Sequence, residues 1–432
     1  MKKIALISHG CAKNLVDSEL ILGILAKNGY KITLNEDETD IVIVNTCSFI
    51  CDAERESIST ILELIEKGKK VIVTGCLAQK HPEELKKEIP EIAGVMGITD
   101  FNKIIEIIRK IDSDFVEEVN ETPNYIYPEE VERQQITMGA SSYIKIADGC
   151  NYRCGYCVIP FLRGDYHSRR MENIINEAKT LVKKGVTEII LIAQDTTGYG
   201  IDIYKKPALP ELLEKLNKIE GLGWIRIMYA YPTTMSDELI DKIAKLDKVV
   251  KYVDIPLQHS HPELLKLMNR PAFDYRILID KIRKKIPNVS IRTTFITGYP
   301  GETEEHHEHL KQFIKDIKFD RVGVFTYSRE KGTASYNMKN RVPARLAKKR
   351  YKELMEIQQE ISLNRNKSFI GKTIPCIIEA YADNGGVVAR SEYDAPEIDG
   401  VVSIKTNKHV VPGDIEQVKI IDATEYDLIG EL

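Results

Sequence analysis

Asp148-Gly149-Cys150-Asn151-Tyr152-Arg153-Cys154-Gly155-Tyr156-Cys157-Val158-Ile159-Pro160 follows directly on an apolar strand pattern, Tyr143 to Ala147. Three thiols at spacings of four and three, in one glycine-containing loop after a strand, can wrap three corners of a cubane iron-sulfur cluster. The loop offers no fourth ligand. One iron is then open to a substrate, whereas a cluster held by four cysteines mainly transfers electrons. Zinc is the alternative. Structural zinc takes four ligands, usually from paired Cys-x-x-Cys knuckles, and the nearest histidine is His167, ten residues past Cys157.

Downstream of this loop, apolar or β-branched strand patterns recur at Glu188 to Ala193, Ile225 to Ala230, Tyr252 to Pro256, Ser290 to Ile296 and Arg321 to Tyr327. Helical patterns separate them, and six strands joined by crossovers fit a partial α/β barrel better than an open sheet. Barrel enzymes build their sites at the carboxyl ends of the strands. Here those ends carry Gln194-Asp195-Thr196-Thr197-Gly198, Asp254-Ile255-Pro256-Leu257-Gln258-His259 and Ile296-x-Gly298-x-x-Gly301-Glu302. Gln194, Asp195, Gln258 and Gly298 are candidate ligand contacts on that ground, with Tyr156 of the cysteine loop and Arg292 of the fifth strand beside them, against the alternative of ordinary turn and packing chemistry.

Upstream, strand and helix patterns alternate from Ile4 to Lys110, which predicts a parallel sheet flanked by helices. Cys11 follows strand Ile4 to Ser8, Cys47 follows Ile41 to Asn45, and Cys76 follows Val71 to Thr74 across Gly75. Three thiols at strand carboxyl ends share the edge where open α/β sheets gather ligands. Residues 112–141 are polar and acidic and read as a linker. After a long charged helix pattern, Pro343 to Asn366, the tail of about 65 residues shows short strands and Gly-rich turns, the grammar of a small antiparallel barrel. Cys51 and Cys376 read as small buried hydrophobes.

With 432 residues, 43% apolar and 29% charged, the chain has the profile of a multidomain globular protein. No stretch reaches the roughly 18 apolar residues of a membrane span. A formal net charge of −4 gives no overall pull toward nucleic acid or anionic lipid. Eight cysteines are too few for a disulfide scaffold of this length, so a reducing, cytoplasmic setting is expected.

Cys-x-x-x-Cys-x-x-Cys with an aromatic before the last cysteine resembles the radical S-adenosylmethionine superfamily, whose architecture is the six-strand series. That resemblance implies a 4Fe-4S cluster on Cys150, Cys154 and Cys157, with S-adenosylmethionine on its open iron as the source of a 5'-deoxyadenosyl radical. Gly10-Cys11-x-Lys13-Asn14-x-x-Asp17-Ser18-Glu19, Asn45-Thr46-Cys47 with Ala53-x-x-Glu56-Ser57, and Gly75-Cys76 are similar to the N-terminal domain of methylthiotransferases. The likeness spans essentially the whole chain. It implies an auxiliary-cluster domain at 1–115, a radical core at 136–366 and a TRAM barrel at 368–432, with a second 4Fe-4S cluster on Cys11, Cys47 and Cys76. One S-adenosylmethionine would methylate sulfur on that cluster, and a second would yield the radical that activates the substrate carbon.

Two branches of the family differ in substrate: RimO-type enzymes modify an aspartate β-carbon of ribosomal small-subunit protein twelve, and MiaB-type enzymes modify an adenosine of tRNA. Residues 368–432 hold 5 of the chain's 61 Lys and Arg but 12 of its 65 Asp and Glu, a net of −7, leaving 56 against 53 elsewhere. A phosphate-binding module should be basic. An acidic one suits a basic protein partner. The segments 192–197, 254–259 and Asp394-Ala395-Pro396-Glu397-Ile398-Asp399-Gly400 also resemble the RimO branch. Protein twelve is thus the expected substrate and a flavodoxin or ferredoxin the expected electron donor, with tRNA the disfavoured alternative. A non-catalytic RNA- or ribosome-binding factor is the rival from another class.

Overall fold

The structure, a computed structural model, describes residues 2–48, 51–99, 101–112, 115–120, 123, 127–136, 139–382 and 385–432. The side chain of Cys51 lies outside the described residues. Two compact units result. The first comprises Met1–Met138, Asp148–Asn151 and Val158–His167, and the second comprises Gly139–Ala147, Tyr152–Cys157 and Ser168–Leu432. Among the described residues, no helix is long and apolar enough to cross a membrane.

In the first unit, strands β1 (Lys3–Ser8), β2 (Lys31–Thr33), β3 (Ile41–Thr46), β4 (Lys70–Gly75), β5 (Gly94–Met96) and β6 (Val116–Glu118) form one parallel sheet in the order β2-β1-β3-β4-β5-β6. Helices α1 (Ala12–Lys27), α2 (Cys51–Glu66), α3 (Cys76–Lys80), α4 (Pro82–Glu88) and α5 (Lys103–Lys110) join them, and the unit also contains α6 (Ile159–Arg163). β3 is buried along its whole length, as an Ile-Val-Ile-Val run between two helical layers should be. Val42 and Val44 pack with Ile61, Leu64, Val71 and Val73. Burying each such side chain contributes about 1.5–3 kcal/mol.

The linker expected at 112–141 is partly structure. Its residues 116–118 add the sixth strand. Further on, Arg133 pairs with the buried carboxylate of Glu19, which also accepts the N–H of Ile136 at 3.2 Å. Gly23 is the glycine over which this segment passes, since a Cβ there would strike the Glu132 carbonyl.

The second unit contains β7 (Ser141–Lys145), β10 (Glu188–Ile192) and β11 (Trp224–Ile227) in one parallel sheet, and β12 (Tyr252–Asp254), β13 (Ser290–Thr297) and β14 (Arg321–Thr326) in another. Two-residue strands β8 (Ala147–Asp148) and β9 (His167–Ser168) lie between β7 and β10 in sequence. Single backbone bonds stitch the two sheets, Val250 N–H to Ile225 O at 3.1 Å and Ala230 N–H to Asp254 O at 2.8 Å. The result is a partial (β/α)6 barrel. Residues 373–431 close a five-stranded barrel in the order β15-β16-β17-β19-β18. These strands are Thr373–Tyr381, Val387–Ser391, Val402–Lys405, Ile415–Ala423 and Leu428–Glu431 in chain order. One expectation is corrected here: β17 and β19 pair in parallel, because the fifth strand, unread in the sequence, returns to close the barrel. Cys376 is fully buried in its core, and desolvation raises its thiol pKa, as a small hydrophobe's should be.

The small barrel docks on the amino ends of the six core strands. Glu188, first residue of β10, accepts from Arg226 Nε at 2.8 Å and from Ser141 Oγ at 2.7 Å, and pairs with Arg390 of β16. Tyr252 Oη donates to Asp399 at 2.6 Å, Arg321 Nε to Asp394 at 2.8 Å, and Ser290 Oγ to the Tyr393 carbonyl at 2.9 Å. The segment 391–400 is therefore a docking loop, and two of its carboxylates serve the chain itself. To that extent the acidity of the barrel is not offered to a partner.

Burial raises the Glu188 carboxyl, but Arg390 and Arg226 outweigh it and the pKa falls from 4.5 to about 2. Glu188→Gln leaves two buried guanidiniums without their carboxylate, and breaking such a pair costs about 3–5 kcal/mol. That loss is expected as a lower urea midpoint at neutral pH. Because the folded-state pKa is depressed, the gap between parent and variant is full above pH 4.5 and closes as the pH falls through about 2.

Candidate active site

In the first unit, parallel strands deliver three cysteines to one edge. Cys11 follows β1 as the N-cap residue of α1, Cys47 follows β3, and Cys76 opens α3 directly after β4. Gly10, at φ +95°, lies against the second of them: a Cβ there would stand 2.8 Å from Cys47 Cβ and 3.0 Å from its Sγ. Gly75, at φ +94°, lets β4 turn into α3 against the backbone of Thr46.

The polar residues of α1 tie these turns together. Asn14 Nδ2 donates to the carbonyls of His9 at 3.1 Å and Thr46 at 3.0 Å, and its Oδ1 lies 3.8 Å from Cys76 Sγ. Asn45 Nδ2 returns two bonds of 2.8 Å, to the Asn14 carbonyl and to Ser18 Oγ. Ser57 Oγ accepts the Cys47 N–H at 3.1 Å. Desolvation raises the Cys11 thiol, but Lys13, Arg163 and the N–H groups of Asn14 and Lys13 outweigh it, so its pKa is lowered. Desolvation dominates at Cys76 and raises its pKa. Cys11 and Cys76 thus share Arg163 as a neighbouring cation, and Cys47 lies against the turn at Gly10; cysteine thiolates are the usual ligands of iron-sulfur clusters.

Of the second trio, Cys150 belongs to the first unit, where its N–H donates to the Gly164 carbonyl at 3.1 Å. Cys154 and Cys157 belong to the second. There the loop is clamped by its neighbours. Gly155 donates to the Met268 carbonyl at 2.9 Å and accepts from Ser335 N–H at 2.8 Å. A Cβ on it would lie 2.6 Å from Tyr299 Oη. Asn269 Nδ2 donates to the carbonyls of Tyr152 and Arg153, each at 3.0 Å. Tyr152 stacks on Tyr231 with centroids 3.6 Å apart, and the Arg270 guanidinium covers the outer face of Tyr231 at 4.3 Å.

The candidate cofactor contacts separate into kinds. Asp195 is buried and accepts from Tyr152 Oη at 2.9 Å, Thr197 Oγ1 at 2.7 Å and Gly198 N–H at 3.0 Å, while burial raises its pKa. It braces the cysteine loop. Arg292 donates to Asp254 at 3.0 Å and reaches Asp399 at 3.5 Å, so it joins the docking network at the amino ends of the strands. Gly298, at φ +80°, has its N–H taken by Glu302, which also pairs with Arg350. Gln194 is half-buried at the end of β10. Gln258 is half-buried, holds φ +72°, and bonds through its backbone to Thr294 and Ile296. A non-glycine residue kept at positive φ beside strand ends is the kind of strain that functional sites retain. Tyr156 lies edge-on to Tyr299 at 6.5 Å, and desolvation holds its phenol well above the ordinary pKa. His259, next to Gln258 in the chain, is fully buried beside Glu302.

Three family models match the chain: the Radical SAM superfamily over residues 144–314, the Uncharacterized protein family UPF0004 over 3–97 and the TRAM domain over 370–432. A solved structure of a radical S-adenosylmethionine methyltransferase, TsrM, from Kitasatospora setae is similar in fold, with a TM-score of 0.56 over 78% of this chain and 77% of that one at 16% identity. The ribosomal protein uS12 methylthiotransferase RimO of Thermoanaerobacter sp. (strain X514) is 51% identical over 100% of both chains. The protein of that name from Caldanaerobacter subterraneus subsp. tengcongensis is 49% identical, also over 100% of both. The chain belongs to the RimO family. It is a radical S-adenosylmethionine methylthiotransferase, and its radical core uses a 4Fe-4S cluster and S-adenosylmethionine.

The methylthiotransferase resemblance included Asn14, Asp17 and Ser18 without giving them a task, and the reading of the cysteine loop stopped three residues short of Arg163. Asn14, Asp17 and Ser18 share one helix face by their spacing of three and four, and all three are buried. Polar residues on the buried face of an amphipathic helix were the available signal. Elsewhere, His261, Glu263 and His306 have ligand atoms close together. However, Nδ1 of His261 accepts the Glu263 N–H and Nδ1 of His306 accepts the Thr303 N–H. These two histidines cap helices, which puts the neutral ring's proton on the Nε2 that a metal would need.

Gly10→Ala would force a Cβ against Cys47 and an L side chain into positive φ. The expected effect is a loss of about 1–3 kcal/mol together with reduced iron uptake by the first unit's cysteines. Thermal unfolding and iron analysis after anaerobic reconstitution check it.

Proposed function

We propose that this RimO-family chain inserts a methylthio group at the β-carbon of an aspartate in ribosomal small-subunit protein uS12. In this reading two 4Fe-4S clusters are used, one on Cys11, Cys47 and Cys76 and one on Cys150, Cys154 and Cys157. The observation that carries it is the end-to-end identity of 51% and 49% to relatives named for that reaction. When bound, the two clusters and S-adenosylmethionine supply a carbon-centred radical and the sulfur group to be transferred.

The chain's own residues hold and shield. Asn269, Met268 and the Tyr152–Tyr231 stack fix the loop that carries Cys154 and Cys157, so the geometry is set before substrate arrives. Behind the loop Leu264, Met268 and Tyr299 form a buried apolar cluster with Tyr156 packed on it, which excludes water from that side. The lowered pKa of Cys11 favours the thiolate, the form in which a cysteine binds metal. Gln258, at the strand ends, is the side chain assigned to cofactor or substrate. The small barrel seals the amino ends of the core strands, so the carboxyl ends are left to receive substrate. The electron donor is a flavodoxin or ferredoxin, and the setting is the cytoplasm.

Anaerobic reconstitution should give about eight irons per chain, two cubanes' worth, and Cys11, Cys47 and Cys76 all changed to Ala should leave about four. Incubation of the reconstituted chain with S-adenosylmethionine, reductant and either uS12 or an anticodon stem-loop RNA, read by mass spectrometry, should add a methylthio group to the protein alone. Modified RNA with unmodified uS12 would assign the chain to the tRNA branch instead. Absence of S-adenosylmethionine cleavage after reduction would leave only a binding role.

A further inference from the structure

Within the first unit, one guanidinium collects the polar residues around the three cysteines. Arg163, the last residue of α6, is 2% exposed. Its Nη1 donates to Asp148 Oδ2 at 2.9 Å, and its Nη2 donates to Asn14 Oδ1 and Asp17 Oδ2, both at 3.0 Å. The same Nη2 stands 4.0 Å from Cys76 Sγ. Desolvation opposes the charge on Arg163, but Asp148, Asp17, Cys76 and Cys11 hold it in place, so the cation is permanent. Asp17 and Asp148 are themselves buried, so the guanidinium stands between two carboxylates beside the thiols, with Lys13 a further cation near Cys11.

We propose that Arg163 is the positioning residue and counter-charge of the Cys11, Cys47 and Cys76 site: it fixes Asn14 and Cys76 in place and raises the reduction potential of the iron-sulfur cluster held there. The proposal rests on the reading that these three cysteines bind a cluster. Net charge and hydrogen bonds to sulfur set the potential of such a cluster. Reduction adds one electron, and hence one negative charge, to a buried site that already faces Asp17 and Asp148. A cation at 4.0 Å from a ligand sulfur stabilises the reduced form most. Lysine cannot replace it, because a single ammonium does not span Asp148 on one side and Asn14 with Asp17 on the other as the planar fork does.

The test uses the full chain with Cys150, Cys154 and Cys157 changed to Ala, reconstituted anaerobically with ferrous iron and sulfide. One-electron reduction by dithionite through redox mediators, followed by electron paramagnetic resonance, reads the auxiliary cluster alone. Against this parent, Arg163→Gln should make the cluster at least tenfold harder to reduce, 59 mV for one electron. Arg163→Lys should fall between the two. Asp17→Asn, nearly identical in shape, should shift the equilibrium the opposite way. Equal potentials in parent, Arg163→Gln and Asp17→Asn would overturn the proposal. Should Arg163→Gln fail to take up iron, Asp17→Asn decides: an unchanged or more negative potential refutes the electrostatic role. A parent that binds no iron removes the premise, a result distinct from a cluster that forms and ignores Arg163.

Discussion

Strands that all run one way present every strand-to-helix turn at the same edge. In the first unit this constraint brings residues 11, 47 and 76 together although they are far apart in sequence, and in the second it gathers Gln194, Gln258 and Gly298 at the ends of β10, β12 and β13. The strands themselves need only be apolar and β-branched. What the constraint demands of the turns is stricter: Gly10 and Gly75 adopt positive φ, and a side chain on either would collide with the neighbouring turn. Two of the three cysteines thus directly follow glycine turns in which the backbone has little room.

Much of this was legible because each cysteine immediately follows a strand pattern, so local sequence placed it on the correct edge. The fold class was legible for the same reason. Three features were not. Strands β2, β5 and β6 have three residues each, too few for a periodic signal. Arg163 meets its partners 146 and 149 residues back in the chain, and no window of sequence joins them. Segment 394–400 resembled the RimO branch, but nothing in it announced that its carboxylates reach Arg321 and Tyr252, 73 and 147 residues earlier. Burial in ion pairs cannot be seen in a net charge, and two of the tail's twelve carboxylates are engaged in this way.

Both units use buried ions for placement more than for stability. A buried pair is a weak source of folding free energy, since desolvation offsets much of the attraction, but a partner out of place is strongly penalised. Arg163 and Glu188 are each held by groups from several elements, so only one arrangement of those elements satisfies them. Apolar packing alone would tolerate sliding of a helix or a small barrel by a fraction of a turn. A forked guanidinium between carboxylates does not.

The docking loop also bears on how the chain is made. Glu188 meets Arg226 only 38 residues later, but Arg390 comes 202 residues after Glu188. At roughly 5–20 residues per second of synthesis, the floor of the partial barrel waits about 10–40 s for its last cation. During that interval Arg292 and Arg321 stand without Asp399 and Asp394. The nascent core therefore emerges with a charged, hydrated underside until the final strands arrive to cover it.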